Sequence, residues 1–173
     1  IGDFVEVSGK LFKTKTEEIT LEAMDWKILS KSLAPVPTEY FGVKDTEELL
    51  RRRYLDLMMN PETRELFRKK NVFWQTARNF LSKKGFLEVQ TPVLENIPGG
   101  AEAEPFITHH NALDRDYFMR ISLELPLKRL LVGGYEKVFE IGRVFRNEGV
   151  DREHLQEYDM LEFYSGYSDL KKG

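Results

Sequence analysis

Two stretches near the end of the chain, residues 138–148 and 158–167, alternate between polar and apolar side chains, which is typical of β-strands. Residues of equal parity on a strand share a face. The polar face carries Arg146 and Glu148, then Tyr158, Glu162 and Tyr164, and the apolar face carries Phe139, Ile141 and Phe145, then Leu161 and Phe163. We therefore predict that the apolar set packs against protein and that the polar set faces a cleft or solvent.

The polar face combines groups that together suit a ligand with anionic, cationic and planar parts. An arginine such as Arg146 presents a planar fork that matches phosphate or carboxylate. A glutamate offers a counter-charge to an ammonium group, and a tyrosine offers a ring for stacking and a hydroxyl for hydrogen bonding. A solvated face with cross-strand ion pairs would show the same alternation, so parity alone leaves both interpretations open.

Two loops also have unusual compositions. Residues 149–157 form a charged connection that is long for a hairpin, which favours a functional loop. His154 lies in it, although a lone loop histidine is more often exposed than catalytic. Residues 97–101 contain a glycine pair that would let backbone approach a ligand closely, or would simply make a turn. His109 and its neighbour have no carboxylate or cysteine at metal-ligand spacing, which argues against a metal site there.

The first half of the chain divides into a strand-rich part and a helical part. Residues 3–33 alternate with a period of two and predict two or three strands. Residues 34–45 contain two prolines and predict a linker. Residues 46–59 predict a helix capped by Thr46. Asn60 and Pro61 begin a second helix, which Gly85 ends.

The second half predicts more strands around a short helix. The predicted strands are residues 86–94, broken by Pro92, and a pair formed by residues 104–109 and 117–121. Ser122 is the predicted cap of a helix that runs to residue 131 and ends at the Gly133-Gly134 pair.

Composition is that of an ordinary globular protein. The 173 residues are 41% hydrophobic and 32% charged, with a net charge of −3 that gives no support for a dedicated nucleic-acid-binding module. There are no cysteines, which excludes disulfides and fits a cytosolic protein. The sequence shows no signal peptide and no run of roughly 20 apolar residues, so we expect no membrane span. It contains neither the P-loop nor the Rossmann glycine motif.

Several segments resemble one enzyme family. Residues 85–94 are similar to motif 1 of class II aminoacyl-tRNA synthetases, and residues 144–148 with His154 and Tyr158 are similar to motif 2. Five further segments resemble the lysyl-tRNA synthetases in particular: residues 52–57, 97–101, 106–114, 124–134 and 145–149.

The resemblance implies an α+β fold. We expect part of the antiparallel class II catalytic sheet with flanking helices, preceded by the C-terminal strands of an OB-fold barrel. The implied domains are residues 1–33 for the end of the anticodon-binding OB-fold, 34–58 for a linker and helix, and 59–173 for the first part of the catalytic domain.

The resemblance also implies roles for individual residues. Arg146 would hold the ATP α-phosphate and the amino-acid carboxylate, and would be the catalytic residue. Four other residues would bind ATP: Glu148 near the adenine amino group, His154 near the phosphates, Leu155 through its main chain, and Tyr158 by stacking on adenine. Gly100, Glu124, Glu162 and Tyr164 would join Arg146 in binding lysine. Leu155 and Tyr158 depart from the family's usual Asn and Phe.

The implied activity is activation of lysine by ATP and transfer to the 3′ end of tRNA(Lys). The expected partners are tRNA(Lys), L-lysine, ATP and a second copy bound through residues 86–94, in the cytoplasm and away from membranes. Mg²⁺ ligands are expected outside this chain, which lacks motif 3 and for that reason is expected to be inactive or weakly active alone. The alternatives are a paralogue that lysylates a protein, an aspartyl or asparaginyl enzyme, and a non-catalytic fragment that binds tRNA or another partner.

Overall fold

The computed structural model describes residues 2–34, 36 and 45–169, and the described part contains both helices and largely antiparallel sheets. The predicted α+β class is therefore confirmed. The chain divides into two compact units, Ile1–Lys70 and Asn71–Gly173. None of the helices in the described part is long and apolar enough to cross a membrane.

The first unit begins with one long antiparallel hairpin. Strand β1 (Phe4–Lys13) pairs with β2 (Ile19–Ser30). Of the two or three strands predicted for residues 3–33, the structure therefore contains two. A register shift follows Ser8, and a Cβ at Gly9 would clash with the backbone of Glu22 across the hairpin. Nearly all side chains of both strands are exposed. The hairpin agrees with the expected end of an OB-fold, whose boundary at residue 33 stays a prediction.

Two short helices follow where a single one was predicted. Helix α1 (Thr46–Arg51) and helix α2 (Arg53–Met59) are separated at Arg52, whose φ of −112° and ψ of 54° are not helical. The cap is Asp45, not Thr46, because the Asp45 carboxylate accepts a hydrogen bond from the Glu47 amide at 2.9 Å. Most of the predicted linker at residues 34–45 lies outside the described residues.

A buried carboxylate joins α2 to the start of the next helix. Asp56 accepts hydrogen bonds from the Asn60 amide at 2.6 Å, the Arg53 guanidinium at 2.5 Å and the Thr63 hydroxyl at 3.1 Å. The Asn60 bond is the main cause that lowers the pKa of Asp56, and the Arg53 and Thr63 bonds add to it against the effect of burial. This junction therefore depends on an ionised carboxylate.

Helix α3 (Pro61–Lys83) has the predicted bounds. Pro61 occupies its first position, where a missing amide hydrogen leaves no bond unmade. Gly85 ends it with a φ of +82°, a conformation that residues other than glycine rarely adopt.

The second unit holds two three-stranded sheets. One has the order β3 (Leu87–Glu88), β7 (Lys137–Phe145), β8 (Glu157–Ser165), with β3 parallel to β7. The other has the order β4 (Leu94–Glu95), β6 (Arg115–Met119), β5 (Ile107–His110). The predicted pairing of the strands at residues 104–109 and 117–121 is confirmed by the β5–β6 register.

The prediction of one strand over residues 86–94 is wrong. Its two ends, β3 and β4, belong to different sheets. Pro92 has no amide to donate to a ladder, and the amide of Thr91 donates instead to the Glu140 carboxylate at 3.1 Å. The chain therefore leaves the first sheet at this point and enters the second.

Helix α4 (Glu124–Val132) packs against β7 and β8 and encloses the core. Leu123 and Leu127 are fully buried against Val138 and Val144 of β7. The helix ends at Gly133 as predicted. Its N-cap is Leu123, not Ser122, although the Ser122 hydroxyl still accepts a hydrogen bond from the Glu124 amide at 3.2 Å.

The predicted division of β7 and β8 into a buried apolar face and an open polar face is wrong in part. The even-numbered face, which was expected to be open, contains the core residues Val138 and Val144, with Tyr158 and Tyr164 packed beside them. On the odd-numbered face Phe163 is 50% exposed and meets Phe86 edge-on. The physical reason is that α4 covers most of the even face and leaves it open where the strands end.

Candidate functional site

The open end of the β7–β8 pair borders a cleft of about 350 Å³, within the range of small-molecule sites. The cleft is lined by Arg146, Glu148, Gly149, Glu153, His154, Leu155 and Tyr158. All five residues predicted to bind ATP are in this set. The structure thus brings together side chains that the sequence places up to twelve positions apart.

Arg146 lies directly after the last residue of β7. Its amide donates to the Gln156 carbonyl at 2.8 Å, which closes the hairpin beyond the ladder. Its side chain is partly buried, with the guanidinium carbon 5.6 Å from the centre of the Tyr158 ring and Nε 3.5 Å from the Ile121 carbonyl oxygen. Within the described part of the chain its terminal nitrogens make no hydrogen bond or ion pair, so the fork can receive an anion.

The loop that completes the cleft is ordered by one aspartate. Asp151 Oδ1 accepts hydrogen bonds from the amides of Glu153 and His154, both at 2.7 Å, and Oδ2 lies 2.7 Å from His154 Nδ1. The Glu153 bond, followed by those of His154, lowers the pKa of Asp151. Our sequence reasoning missed Asp151, although an aspartate that caps the next two or three amides is a recognisable turn signal.

A second cluster lies farther along β8, around Glu162. Glu162 Oε1 accepts a hydrogen bond from the Leu123 amide at 3.0 Å, and Oε2 accepts one from the Tyr164 hydroxyl at 2.9 Å. Burial and then this bond raise the pKa of Tyr164 well above its usual range, so the hydroxyl remains a donor at neutral pH. Both side chains are partly buried. The carboxylate is thus held in a fixed direction by two donors.

Gly100 and Glu124 meet at the same place through Ser122. Gly100 has a φ of +85°, and an added Cβ would overlap the Ser122 hydroxyl and lie 2.9 Å from Glu124 Cβ. Glu124 Oε1 is 2.7 Å from the Lys128 ammonium, which also lies 5.9 Å from the centre of the Tyr164 ring. The chain's own ammonium group therefore already sits between a carboxylate and an aromatic ring here.

The two clusters share one segment, residues 121–124. The Ile121 carbonyl contacts Arg146, and the Leu123 amide contacts Glu162. The Ser122 hydroxyl donates to the Gly99 carbonyl at 3.2 Å. Arg146 and Glu162 thus contact this segment, and Glu124 lies in it. Gly100 adjoins Gly99, which contacts the segment, and Tyr164 is bonded to Glu162.

The residues that the structure describes contain no group of three or more His, Cys, Asp or Glu side chains that could hold a metal ion. His109 lies 3.4 Å from Asp114 and 3.0 Å from Asp116 in an exposed turn, which is an ordinary surface arrangement.

Comparison with known proteins adds independent evidence. A family model described as tRNA synthetases class II (D, K and N) matches residues 45–172. A lysine–tRNA ligase of Pelotomaculum thermopropionicum is 56% identical over 98% of this chain and 33% of its own length. The ligases of Halalkalibacterium halodurans and Bacillus subtilis are 54% and 52% identical, over 98% and 99% of this chain and 34% of their own lengths.

The chain thus spans about a third of the length of the curated relatives it matches. Nearly the whole of it aligns with proteins of one name, in agreement with the resemblance seen in the motifs. The family match also covers all of the residues that form the cleft and the Glu162 cluster. The chain therefore belongs to the class II tRNA synthetase family that comprises the D, K and N enzymes.

Proposed function

We propose that this chain carries the amino-acid site and part of the ATP site of a lysine–tRNA ligase. One observation supports this most: the Arg146 side chain contacts the Ile121 carbonyl, and the Glu162 carboxylate accepts a hydrogen bond from the Leu123 amide of the same short segment. The carboxylate of an amino acid can bind the free guanidinium fork of Arg146. The ammonium of a lysine can bind the Glu162 carboxylate. The names of the relatives favour lysine over other amino acids.

The chemistry of the second cluster suits a cation. Glu162 and Glu124 supply two carboxylates, and the Tyr164 hydroxyl directs Glu162. The Lys128 ammonium, which lies 2.7 Å from Glu124 Oε1 and 5.9 Å from the centre of the Tyr164 ring, supports the proposal that this space suits a cation. We infer that Gly100 and Glu124 bind the α-amino group and that Glu162 and Tyr164 line the side chain of the substrate.

The cleft suits the adenosine and α-phosphate of ATP. Tyr158 presents a ring on which adenine can stack, and Arg146 lies against the edge of the same site. Glu148 lies near the proposed adenine amino group, His154 near the phosphates, and Leu155 contributes its main chain. The partly buried setting of Arg146 strengthens its hydrogen bonds to phosphate relative to those made in open solvent.

The proposed reaction begins with attack by a lysine carboxylate oxygen on the α-phosphorus of ATP. The bond from that phosphorus to the bridging oxygen breaks, pyrophosphate leaves and lysyl-adenylate forms. A terminal tRNA hydroxyl then attacks the lysyl carbonyl, and AMP leaves. Arg146 would bind both reacting groups and stabilise the negative charge that builds on the α-phosphate.

Further parts of the proposal concern partners and domain roles. tRNA(Lys) would be the acceptor, in the cytoplasm, and a second copy would bind through residues 86–94. Residues 1–33 would end an anticodon-binding domain, residues 34–58 would link it, and residues 59–173 would begin the catalytic domain. The resemblance implies that protein-lysylating paralogues lack the OB-fold, so the proposed end of an OB-fold at the β1–β2 hairpin favours a tRNA ligase.

A chimaera tests the function directly. In it these 173 residues replace the matching third of the Bacillus subtilis ligase. We expect exchange of pyrophosphate into ATP that depends on lysine and not on aspartate or asparagine. Folded chimaera that binds tRNA but shows no such exchange would support the non-catalytic alternative. Exchange with aspartate or asparagine would assign the chain to another branch of its family.

Gly100→Ala is expected to weaken lysine binding by about tenfold or more. The added Cβ would overlap the Ser122 hydroxyl, and the φ of +85° would be strained for alanine. Isothermal titration of lysine into the 173-residue chain measures the effect. Gly166→Ala is the matched control, because its added Cβ would meet only the Glu136 carbonyl, at an ordinary contact distance of 3.6 Å. Equal affinities for the two variants would contradict a close approach at Gly100.

A further inference from the structure

A buried ion pair lies behind the proposed site. Arg120 Nη1 is 2.7 Å from Glu140 Oε1, and the two side chains are only 4% and 2% exposed. The other carboxylate oxygen of Glu140 accepts hydrogen bonds from the hydroxyl of Thr91 at 2.6 Å and from its amide at 3.1 Å. Arg120 Nε donates to the Arg143 carbonyl at 2.8 Å, and Nη1 donates to the Thr91 carbonyl at 3.1 Å. The pair therefore links three parts of the chain: Thr91, the segment at Arg120 and strand β7.

Strand β7, which carries Glu140, has a glycine where the Arg120 guanidinium approaches it. A Cβ at Gly142 would overlap Arg120 Nη2 and lie 2.7 Å from Glu140 Oε1. Glycine in a strand interior weakens the strand, so its presence indicates a close approach by another group. Here that group is the guanidinium of Arg120.

A buried ion pair is in general weak evidence for a stabilising role. The cost of removing two charges from water can exceed their attraction, and apolar residues of similar volume often replace a buried pair without loss of stability. Breaking the pair on one side is by contrast destabilising. The distinctive property of the pair is directional, because hydrogen bonds fix where Arg120 lies relative to β7 and to Thr91.

Arg120 is connected to the proposed site by its own carbonyl and by the residues that follow it. The Arg120 carbonyl accepts a hydrogen bond from the Phe145 amide at 3.0 Å, one residue before Arg146. The next carbonyl, of Ile121, contacts the Arg146 side chain. Two residues farther on, the Leu123 amide holds the Glu162 carboxylate. Residues 120–123 thus bridge the group proposed to bind the α-phosphate and the group proposed to bind the substrate ammonium.

We propose that Arg120 and Glu140, with Thr91, are positioning residues that fix Arg146 relative to Glu162 for adenylate formation. The inference rests on the proposed function of the site. None of the three residues lines the cleft, and Glu140 lies directly opposite Glu162 in the β7–β8 register. Arg120 acts through its own carbonyl, bonded to the Phe145 amide, and through the segment that carries the Ile121 carbonyl and the Leu123 amide. A displacement of 1 Å far from the chemistry can reduce the rate by about 10²-fold, so this role has a measurable consequence.

Three variants in the chimaera test this role by kinetics. Arg120→Met/Glu140→Leu replaces the pair by apolar side chains, Glu140→Gln removes its charge, and Thr91→Val removes only a hydroxyl. We expect the folded double variant to lose about 10- to 100-fold in kcat for lysine-dependent exchange, with smaller changes in KM. Arg143→Gln is the control, because it removes a side chain on β7 whose ion pair, with Asp159 of β8, lies outside the buried network. Wild-type kcat in a folded double variant would overturn the proposal, as would equal losses in the control.

Thr91→Val keeps the test decisive if the double variant does not fold, since it preserves shape and charge. We expect it to remain folded, with a lower melting temperature because the buried Glu140 carboxylate loses one of its donors, and to lose about three- to tenfold in kcat. Unchanged kcat in this variant, when the double variant is unfolded, would also overturn the proposal.

A spectroscopic measurement separates this inference from the proposed function. The Nε–Hε resonance of Arg146 in the 173-residue chain, assigned by its loss in Arg146→Lys, reports the contact with Ile121. We expect Glu140→Gln and Thr91→Val to shift it and Arg143→Gln to leave it in place. An unmoved resonance in both network variants would overturn the positioning role, even if the chimaera proved inactive for other reasons. A shifted resonance in an inactive wild-type chimaera would instead count against the proposed function alone.

Discussion

In the chimaera, Arg146→Ala is expected to lower lysine-dependent exchange of pyrophosphate into ATP by about 10²–10³-fold. Loss of one preorganised donor typically costs about 2.7–4 kcal/mol of transition-state stabilisation, which corresponds to this decrease in rate. Arg146 is partly buried beside Tyr158, and its terminal nitrogens have no other partner within the described part of the chain. Alanine would remove the fork and leave the α-phosphate charge without this stabilisation. Because the contact strengthens as charge develops, we expect most of the loss in kcat and a smaller part in KM.

Arg143→Ala is the matched control for this experiment. Arg143 lies on β7, three residues before Arg146, but its side chain is exposed and pairs with Asp159 at 2.9 Å and Glu157 at 3.2 Å. Exposed ion pairs of this kind are worth about 0–1 kcal/mol, so we expect a change in exchange activity of about fivefold or less. Near-normal exchange by folded Arg146→Ala protein would show that another group binds the α-phosphate.

Local signals in the sequence located the elements that carry the site. The bounds of α3 follow from Pro61 and Gly85, and the end of α4 follows from Gly133, because these residues act within one turn of the helix. The β5–β6 hairpin was equally local. Five residues predicted by resemblance to bind ATP line one cleft, but their proposed roles are not tested by that placement.

The features that the sequence did not reveal depend on distant contacts. Thr91 and Glu140 are 49 positions apart, and the hydrogen bond between them lies within residues 86–94, which were predicted to form a single strand. No pattern in residues 86–94 indicates that a carboxylate from another strand takes the Thr91 amide. Likewise α4 covers Val138 and Val144 on the face that parity marked as polar. Periodicity identifies which residues share a face, but the neighbour that covers this face is decided by the tertiary fold.

The second large effect is expected at Glu162. Glu162→Gln keeps the size of the side chain and an oxygen to accept the Leu123 amide, but it removes the negative charge. The carboxylate is partly buried and already bonded to the Tyr164 hydroxyl at 2.9 Å, so its direction is fixed before a ligand arrives. Hydrogen bonds to charged groups contribute about 1.5–3 kcal/mol, which corresponds to a loss of roughly 10- to 100-fold in affinity for lysine.

Titration of lysine and of ATP into the same variant decides whether Glu162 recognises the amino acid. We expect the lysine affinity to fall and the ATP affinity to change by about threefold or less, because Glu162 contacts the segment at Leu123 and not the cleft. Glu157→Gln, an exposed carboxylate on the same strand, is expected to leave both affinities unchanged. A parallel loss of both affinities in Glu162→Gln would indicate that the charge holds residues 121–124 in place. An unchanged lysine affinity would exclude Glu162 as the counter-charge of the substrate ammonium.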